Sequence, residues 1–257
     1  MSQDFSDHVA FITGGSDGIG RATAELLAER GATVIVCARG EEKLEATRKA
    51  IEDAGGKVEA HQLDVTDSDA FTALIEDVAE RHGRLDMMVN NAMAVHYAPI
   101  AKLKLEHWRK DFAVNADAVF VGTKTAMKIM TAARKGSIVN ISSTTAIRAA
   151  ANMSSYSASK AALIQFTAVA AMEAARSGVR INAIVPGQVQ TAGNEDFAAK
   201  APDIAAKTSE AIPMGRGGEP KELAETILFM LSDAASYITG VALPVDGGKS
   251  AQLYLPS

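Results

Sequence analysis

Short runs of consecutive apolar residues alternate along the chain with longer stretches whose apolar positions recur every three or four residues. The short runs predict strands at Val9–Ile12, Thr33–Ala38, Val58–Leu63, Leu85–Val89, Gly136–Ile141, Arg180–Val185 and Val241–Val245. Most are apolar without alternation, as strands buried on both faces are. The clearest helical stretch places Ile19, Ala22, Thr23, Leu26, Leu27 and Arg30 on one face, with Gly31 where a C-terminal cap belongs, and predicts a helix over Gly18–Arg30. Further helices are predicted at Glu41–Ala54, Asp69–His82, Glu106–Ala133 and about Ser154–Ser177. Strands and helices alternating in this way predict a doubly wound α/β fold: a seven-stranded parallel sheet with helices on both faces. From Gln188 to Gly218 the rhythm fails, and Gly, Pro, Thr and Asn punctuate short Ala-rich turns. A segment that long predicts a substrate-binding loop or lid at 188–218. Nothing resembling a linker interrupts the alternation, so residues 1–257 read as one domain.

Composition narrows the function classes. The chain is 47% hydrophobic and 22% charged, which suits a globular core. Its net charge is −5, with Lys and Arg dispersed among Asp and Glu, which speaks against a nucleic-acid partner. Cys37 is the only cysteine, so no disulfide closes within the chain, and a reducing, cytoplasmic setting is expected. The amino terminus lacks a basic region and a long apolar core, and no stretch approaches the roughly 18 apolar residues of a membrane span. The five histidines lack metal-ligand spacing, so no metal site is expected.

Chemistry enters at Thr13-Gly14-Gly15-Ser16-Asp17-Gly18-Ile19-Gly20, between the first strand and the first helix. Glycines there let the backbone approach a pyrophosphate held by free amides and the helix dipole; the alternative is a turn that needs glycine for geometry alone. Tyr156 and Lys160 are four apart on a predicted helix, hence on one face. A cation beside a phenol lowers its pKa toward usable acid/base chemistry; the alternative is a solvated helix face. Ser143 ends the fifth strand, where open α/β sheets place ligands, and its hydroxyl suits a substrate oxygen. The alternative is a polar loop over Ser142, Ser143, Thr144 and Thr145. Asn115 falls on the apolar face of a helix, where an amide needs partners.

Together, TGGSDGIG at 13–20, LDV at 63–65, NNA at 90–92, Asn115, ISS at 141–143, YSASK at 156–160, VPGQVQT at 185–191 and VDGG at 245–248 resemble the short-chain dehydrogenase/reductase family. The likeness covers nearly the whole chain and is closest in length and Tyr–Lys spacing to the single-domain oxidoreductases, of the 3-oxoacyl reductase and secondary-alcohol dehydrogenase types. Enoyl reductases of the same fold space their Tyr and Lys more widely. The resemblance implies a Rossmann-like fold and a nicotinamide dinucleotide cofactor. It selects Ser143 over Ser142, makes Tyr156 the acid/base, and gives Asn115 a water beside Lys160. On the same pattern Gly14, Ser16, Asp17, Gly18, Ile19 and Gly20 hold the pyrophosphate side. Asp64 and Val65 flank adenine, and Asn91 and Ala92 the adjacent ribose. Pro186, Gly187, Val189 and Thr191 lie at the nicotinamide end, and Tyr156 and Lys160 touch the nicotinamide ribose. The bland alternatives are a helix cap at Asp64 and an ordinary turn at Pro186-Gly187.

An acidic residue at the end of the second strand would favour NAD. This chain has Ala38 followed by Arg39, and a guanidinium there favours NADP(H) over NAD(H), although Asp17 points the other way. Met93 stands where the family has glycine, which bears on local backbone conformation and pocket volume. His96, Tyr97, Arg148, Asn152, Met153 and Gln188 fall on loops near the expected site. Gly248-Lys249-Ser250 is no phosphate loop, since Leu243 occupies its first glycine position. The function expected is interconversion of a secondary alcohol and a ketone on a small molecule, in a homotetramer by resemblance. The alternatives are a 3-oxoacyl thioester reductase, with Arg134 and Arg176 docking an acidic carrier, and a silent dinucleotide-binding regulator.

Overall fold

The computed structural model describes residues 4–191, 199 and 202–252. Its strands are β1 (Val9–Thr13), β2 (Thr33–Ala38), β3 (Lys57–Gln62), β4 (Met87–Asn90), β5 (Gly136–Ile141), β6 (Val179–Pro186) and β7 (Ala242–Val245). They form one sheet in the order β3-β2-β1-β4-β5-β6-β7, and every neighbouring pair is parallel. The helices are α1 (Gly18–Glu29), α2 (Glu41–Asp53), α3 (Ser68–His82), α4 (Leu105–Phe112), α5 (Ala118–Ala133), α6 (Ser154–Ala174), α7 (Pro202–Glu210) and α8 (Pro220–Leu231). Among the described residues, no helix is long and apolar enough to cross a membrane.

Alternation along the central strands assigns their side chains to two cores. Ala10 and Ile12 of β1 join Val34 and Val36 of β2 beneath α1, α2 and α8. Val9 and Phe11 join Ile35 and Cys37 beneath α3, α5 and α6. The first helix starts where Asp17 caps it, its carboxylate accepting from Gly18 N at 2.7 Å, and its chain exits through Gly31 at φ +94°. At α8, Pro220 occupies the first turn and Glu219 with Glu222 forms a reciprocal capping box.

Polar pairs also fix the layers. Asn90 and Asn140 face each other across β4 and β5, with Asn90 Nδ2 donating to Asn140 Oδ1 at 2.8 Å and to Thr123 Oγ1 of α5 at 3.1 Å. Asn140 Nδ2 donates to Thr167 Oγ1 of α6 at 2.9 Å, so two strands and two helices share one buried network.

Two sequence expectations change. The single helix over Glu106–Ala133 is broken by a π-helical turn at Ala113–Asp117, which separates α4 from α5. The extra residue per turn shifts the helix face by about one position, which periodicity alone does not register. The irregular reading of 188–218 fails at Pro202–Glu210, which form α7. Residues 192–198, 200 and 201 of that segment lie outside the described residues.

Phe71 is fully buried against Phe11, with ring centroids 6.0 Å apart. Phe71→Ala should cost about 3–5 kcal/mol of unfolding free energy. Urea denaturation followed by circular dichroism measures it, and a loss under about 1 kcal/mol would show that this core closes over the cavity.

Candidate active site

The sheet reverses its winding between β1 and β4, and the crevice at their C-terminal ends is where such sheets take ligands. Its walls are tied directly. Thr13 Oγ1 accepts from the amides of Asn91 at 2.9 Å and Ala92 at 3.0 Å, and Asn91 Nδ2 donates to the carbonyls of Thr13 at 3.1 Å and Gly14 at 3.0 Å. A Cβ on Gly20 would lie 2.3 Å from Gly14 O and 2.4 Å from Asn91 Nδ2, so this glycine is required by packing under the turn. Gly14 at φ +65° and Gly18 at φ +52° hold left-handed conformations.

Above the turn opens a groove of about 550 Å³, lined by Gly14, Ser16, Asp17, Gly18 and Ile19 of the turn and by Asp64, Val65, Asn91, Ala92 and Thr191. Arg39 and Lys43 stand at its β2 end. These residues fit an elongated dinucleotide: a glycine turn at a helix N-terminus, apolar walls at Ile19 and Val65, and cations at one end. Gly20 lies beneath it. Tyr156, Lys160, Pro186, Gly187 and Val189 do not line it. Gly187 N donates to Val245 O at 3.0 Å and Val189 pairs with Gly218, so these residues begin the segment that leads to Thr191. Asp64 caps no helix; its carboxylate accepts from Thr66 N and Oγ1, and Asp67 caps α3. Asp17 is ion-paired to Lys43 at 2.6 Å, a partner that sequence reading missed.

One strand over, α6 brings the acid/base residues to the end of β5. Tyr156 is buried, and Lys160 is 1% exposed, with its Nζ 5.9 Å from the Tyr156 ring centroid. Lys160 Nζ donates to Ile141 O at 2.7 Å. Burial pulls its pKa down to about 7. Burial also raises that of Tyr156; a hydrogen bond with Ser143 opposes this, and the charges of Tyr97 and Asp111 add to the rise. The expectation that Lys160 lowers the Tyr156 pKa is therefore corrected: desolvation dominates, and the ammonium is engaged by a carbonyl. The two neighbouring serines separate cleanly. Ser142 Oγ donates to Lys160 O at 2.9 Å, a tie within the fold, whereas Ser143 Oγ accepts from Thr145 N at 3.2 Å and Thr145 Oγ1 at 3.1 Å and acts on Tyr156 by holding its pKa down.

Asn115 sits on the π-helical turn, fully buried. Its Oδ1 accepts from Ala94 N at 3.0 Å, and its Nδ2 donates to Ala94 O at 2.8 Å and Ser159 Oγ at 3.1 Å. A helix interruption at a functional residue is where π-turns concentrate. Met93 requires no left-handed backbone, so the substitution for glycine leaves the chain path intact; the side chain is half exposed and lines the groove. Among the loop candidates, His96 Nδ1 pairs with Asp111 Oδ1 at 2.7 Å, and Asn152 O accepts from Ala98 N at 2.9 Å. Arg148 bonds Ile147 O and Tyr97 is exposed, while Gln188 Oε1 is buried with no hydrogen-bond partner among the described residues. Arg134 and Arg176 are exposed just ahead of β5 and β6, at the N-terminal ends of the strands. A strand of six residues is about 20 Å long, which puts both arginines at the opposite edge of the sheet from Tyr156.

Residues 14–250 match the family model described as Enoyl-(Acyl carrier protein) reductase. A 3-oxoacyl-[acyl-carrier-protein] reductase of Thermotoga maritima is 40% identical over 240 residues, 93% of this chain and 96% of that protein. Cis-4-hydroxycyclohexanecarboxylate dehydrogenase of Sinomonas cyclohexanicum is 41% identical over 252 residues, 98% of this chain and 100% of the relative. Levodione reductase superposes with a TM-score of 0.93 at 35% identity, over 97% of this chain and 100% of that one. A candidate NAD(P)-dependent gluconate 5-dehydrogenase of Beutenbergia cavernae, with NADP bound at low occupancy, superposes at 0.92 and 35% identity over 97% and 99% of the two chains.

The depressed pKa of Lys160 makes a stability prediction with a definite sign. Between the ordinary lysine value of 10.5 and about 7, the unfolded chain binds a proton that the folded side chain releases, so the burial penalty grows as pH falls through that window. Lys160→Met should therefore be more thermostable than the parent at pH 7, with an advantage that shrinks toward pH 9. Paired thermal melts across that range measure it, and a gap that does not change with pH would refute the burial effect.

Proposed function

This chain belongs to the short-chain dehydrogenase/reductase family, and on that footing we propose that it is an NADP(H)-dependent reductase of small-molecule ketones, with Tyr156 as the acid/base. It is an oxidoreductase of alcohol and carbonyl groups that uses a nicotinamide dinucleotide. The reading is carried by one observation: Tyr156 and Ser143 are both buried at the end of β5 beside the groove, with Lys160 buried one helical turn on from Tyr156.

When bound, the nicotinamide dinucleotide supplies or accepts the hydride. Gly14, Ser16, Asp17, Gly18, Ile19 and Gly20 hold its pyrophosphate side, Asp64 and Val65 its adenine, and Asn91 and Ala92 the neighbouring ribose. Pro186, Gly187, Val189 and Thr191 would serve its nicotinamide end, and Tyr156 and Lys160 the ribose there. Burial keeps the Tyr156 phenol protonated at neutral pH, which suits proton donation to a carbonyl oxygen as negative charge develops there. Ser143 donates to the same oxygen. Lys160, with a pKa of about 7, exchanges a proton near neutrality and restores the phenol. Asn115 keeps the loop at Ala94 and the helix at Ser159 in place around them.

The NADP preference rests on charge at the end of β2. Asp17 is occupied by Lys43, so its carboxylate no longer opposes a 2′-phosphate, and Arg39 adds a second cation. A small-molecule substrate is favoured by the likeness to cis-4-hydroxycyclohexanecarboxylate dehydrogenase and levodione reductase. The substrate-binding role is assigned to the segment 188–218. A cytoplasmic setting fits the single thiol, Cys37, which is buried and pushed up to about 12. Phe120, Val169 and Met172 leave apolar surface on α5 and α6, which supports a homo-oligomer, a tetramer on the family's pattern.

Two measurements test the assignment. Tyr156→Phe should lower turnover by about 10²–10⁴-fold against a panel of cyclic, aliphatic and 3-oxoacyl ketones while leaving NADPH affinity largely unchanged; an unchanged rate would overturn Tyr156 as the acid/base. Arg39→Ala should reduce the ratio of NADPH to NADH efficiency by about tenfold or more, since a charge-assisted phosphate contact is worth about 1.5–3 kcal/mol. Preference for NADH in the parent enzyme would defeat the argument from Arg39.

A further inference from the structure

Asp111 has no part in the mechanism above, yet it is a carboxylate with no exposed surface, one turn before Asn115. Both its oxygens are engaged. Oδ1 pairs with His96 Nδ1 at 2.7 Å, while Oδ2 accepts from the Ser155 hydroxyl and from His96 N at 3.3 Å. The His96 ring is stacked on His107 of α4, with centroids 4.4 Å apart.

The partners repeat at a fixed interval. Asp111 joins the loop after β4, at His96, to Ser155 of α6. Asn115 joins the same loop, at Ala94, to Ser159 of α6. The anchors on each helix are four residues apart, one turn on each side. Ser155 and Ser159 immediately precede Tyr156 and Lys160 in sequence. The two ties therefore index the acid/base pair from the residues just before each member, and they set the loop that ends at Ala98, itself bonded to Asn152 ahead of α6.

We propose that Asp111, acting through Ser155 and His96, is a positioning residue of the reaction: with Asn115 it forms the second of two parallel ties that fix Tyr156 against the loop after β4. The inference rests on the assignment of Tyr156 as the acid/base. A carboxylate in a fully buried place is tolerated because three donors surround it. Removing it leaves those donors unsatisfied and frees the first turn of α6, where Tyr156 sits.

Asp111 also acts on Tyr156 through space. The groups bearing on the phenol are Lys160 on its own helix, Tyr97 on the loop, Asp111 on α4 and, through Asp111, His96. The Asp111 charge raises the Tyr156 pKa, so removing that charge moves it down. A purely structural plug would lower stability without this electrostatic signature.

The test uses Asp111→Asn and Asp111→Ala in the full-length protein, with Ser155→Ala as a milder cut of the same tie. Ultraviolet difference titration, each variant read against its own Tyr156→Phe counterpart, follows the Tyr156 phenol without turnover. Asp111→Asn should shift that titration to lower pH. In steady-state assays Asp111→Ala should lower kcat by at least about tenfold, within the roughly 10²-fold that a misplacement of ~1 Å costs, with cofactor KM changed less than about twofold. Asp111→Asn should recover part of the loss. An unmoved titration in Asp111→Asn overturns the proposal, as does a kcat within about twofold of the parent in both Asp111 variants. A shifted titration in a parent enzyme that turns over no ketone would count against the reaction assignment and in favour of the tie.

Discussion

Lys160 carries its ammonium group into a place that is 1% exposed, and the only hydrogen bond described for it there is to the carbonyl of Ile141 at 2.7 Å. Burying an ion of this kind costs several kcal/mol unless its partners are held in good geometry, or unless the group sheds its charge. Both adjustments are present: the carbonyl at the end of β5 faces it, and its pKa falls to about 7. The geometry around β5 follows from that requirement. Ile141 must end the strand with its carbonyl toward α6, and Ser142 seals the junction by donating to Lys160 O. The next residue along the chain, Ser143, is then directed at Tyr156. One buried lysine thus ties the end of β5 to α6 from both its side chain and its backbone, with Ser143 and Tyr156 beside that junction.

The loop after β4 performs the corresponding task between the two halves of the sheet. At its start, Asn91 and Ala92 are bound to Thr13 and Gly14, which fixes the floor of the groove. Two residues later Ala94 is held by Asn115, and His96 by Asp111. Within six residues the chain is stitched to the glycine turn on one side and, through Asp111 of α4 and Asn115 of the π-turn, to Ser155 and Ser159 of α6 on the other. The placement of the groove relative to Tyr156 is therefore set by a short, doubly anchored segment. Met93, at its middle, is the one side chain of that stretch standing half exposed in the groove, and it is placed to alter groove shape without altering the frame.

The sheet was legible in the sequence because its signal is local: apolar runs such as Val34–Cys37 leave little choice but a buried strand. The glycine turn, Ser143, Tyr156 and Lys160 were legible from spacing and from family likeness. What escaped was pairing between distant residues. Lys43 reads as an ordinary surface lysine of α2, and only the fold carries it to Asp17. Asp111 reads as a polar position of an amphipathic helix, since nothing local shows that His96 and Ser155 will close over it. The π-turn at Asn115 was hidden because one inserted residue barely disturbs an apolar pattern of period 3.6.

Selectivity between the two dinucleotides turns on the same kind of hidden pairing. Asp17 alone at a helix N-terminus would repel a phosphate, but a carboxylate there also satisfies the first free amide of α1, so it is retained for the fold. Lys43 at 2.6 Å cancels its charge without displacing it from the cap. Exposed ion pairs of this type contribute little to stability, typically 0–1 kcal/mol. The value of this one is instead local: it sets a cation against the Asp17 cap, while Arg39 at the end of β2 acts on the Asp64 carboxylate of the same groove.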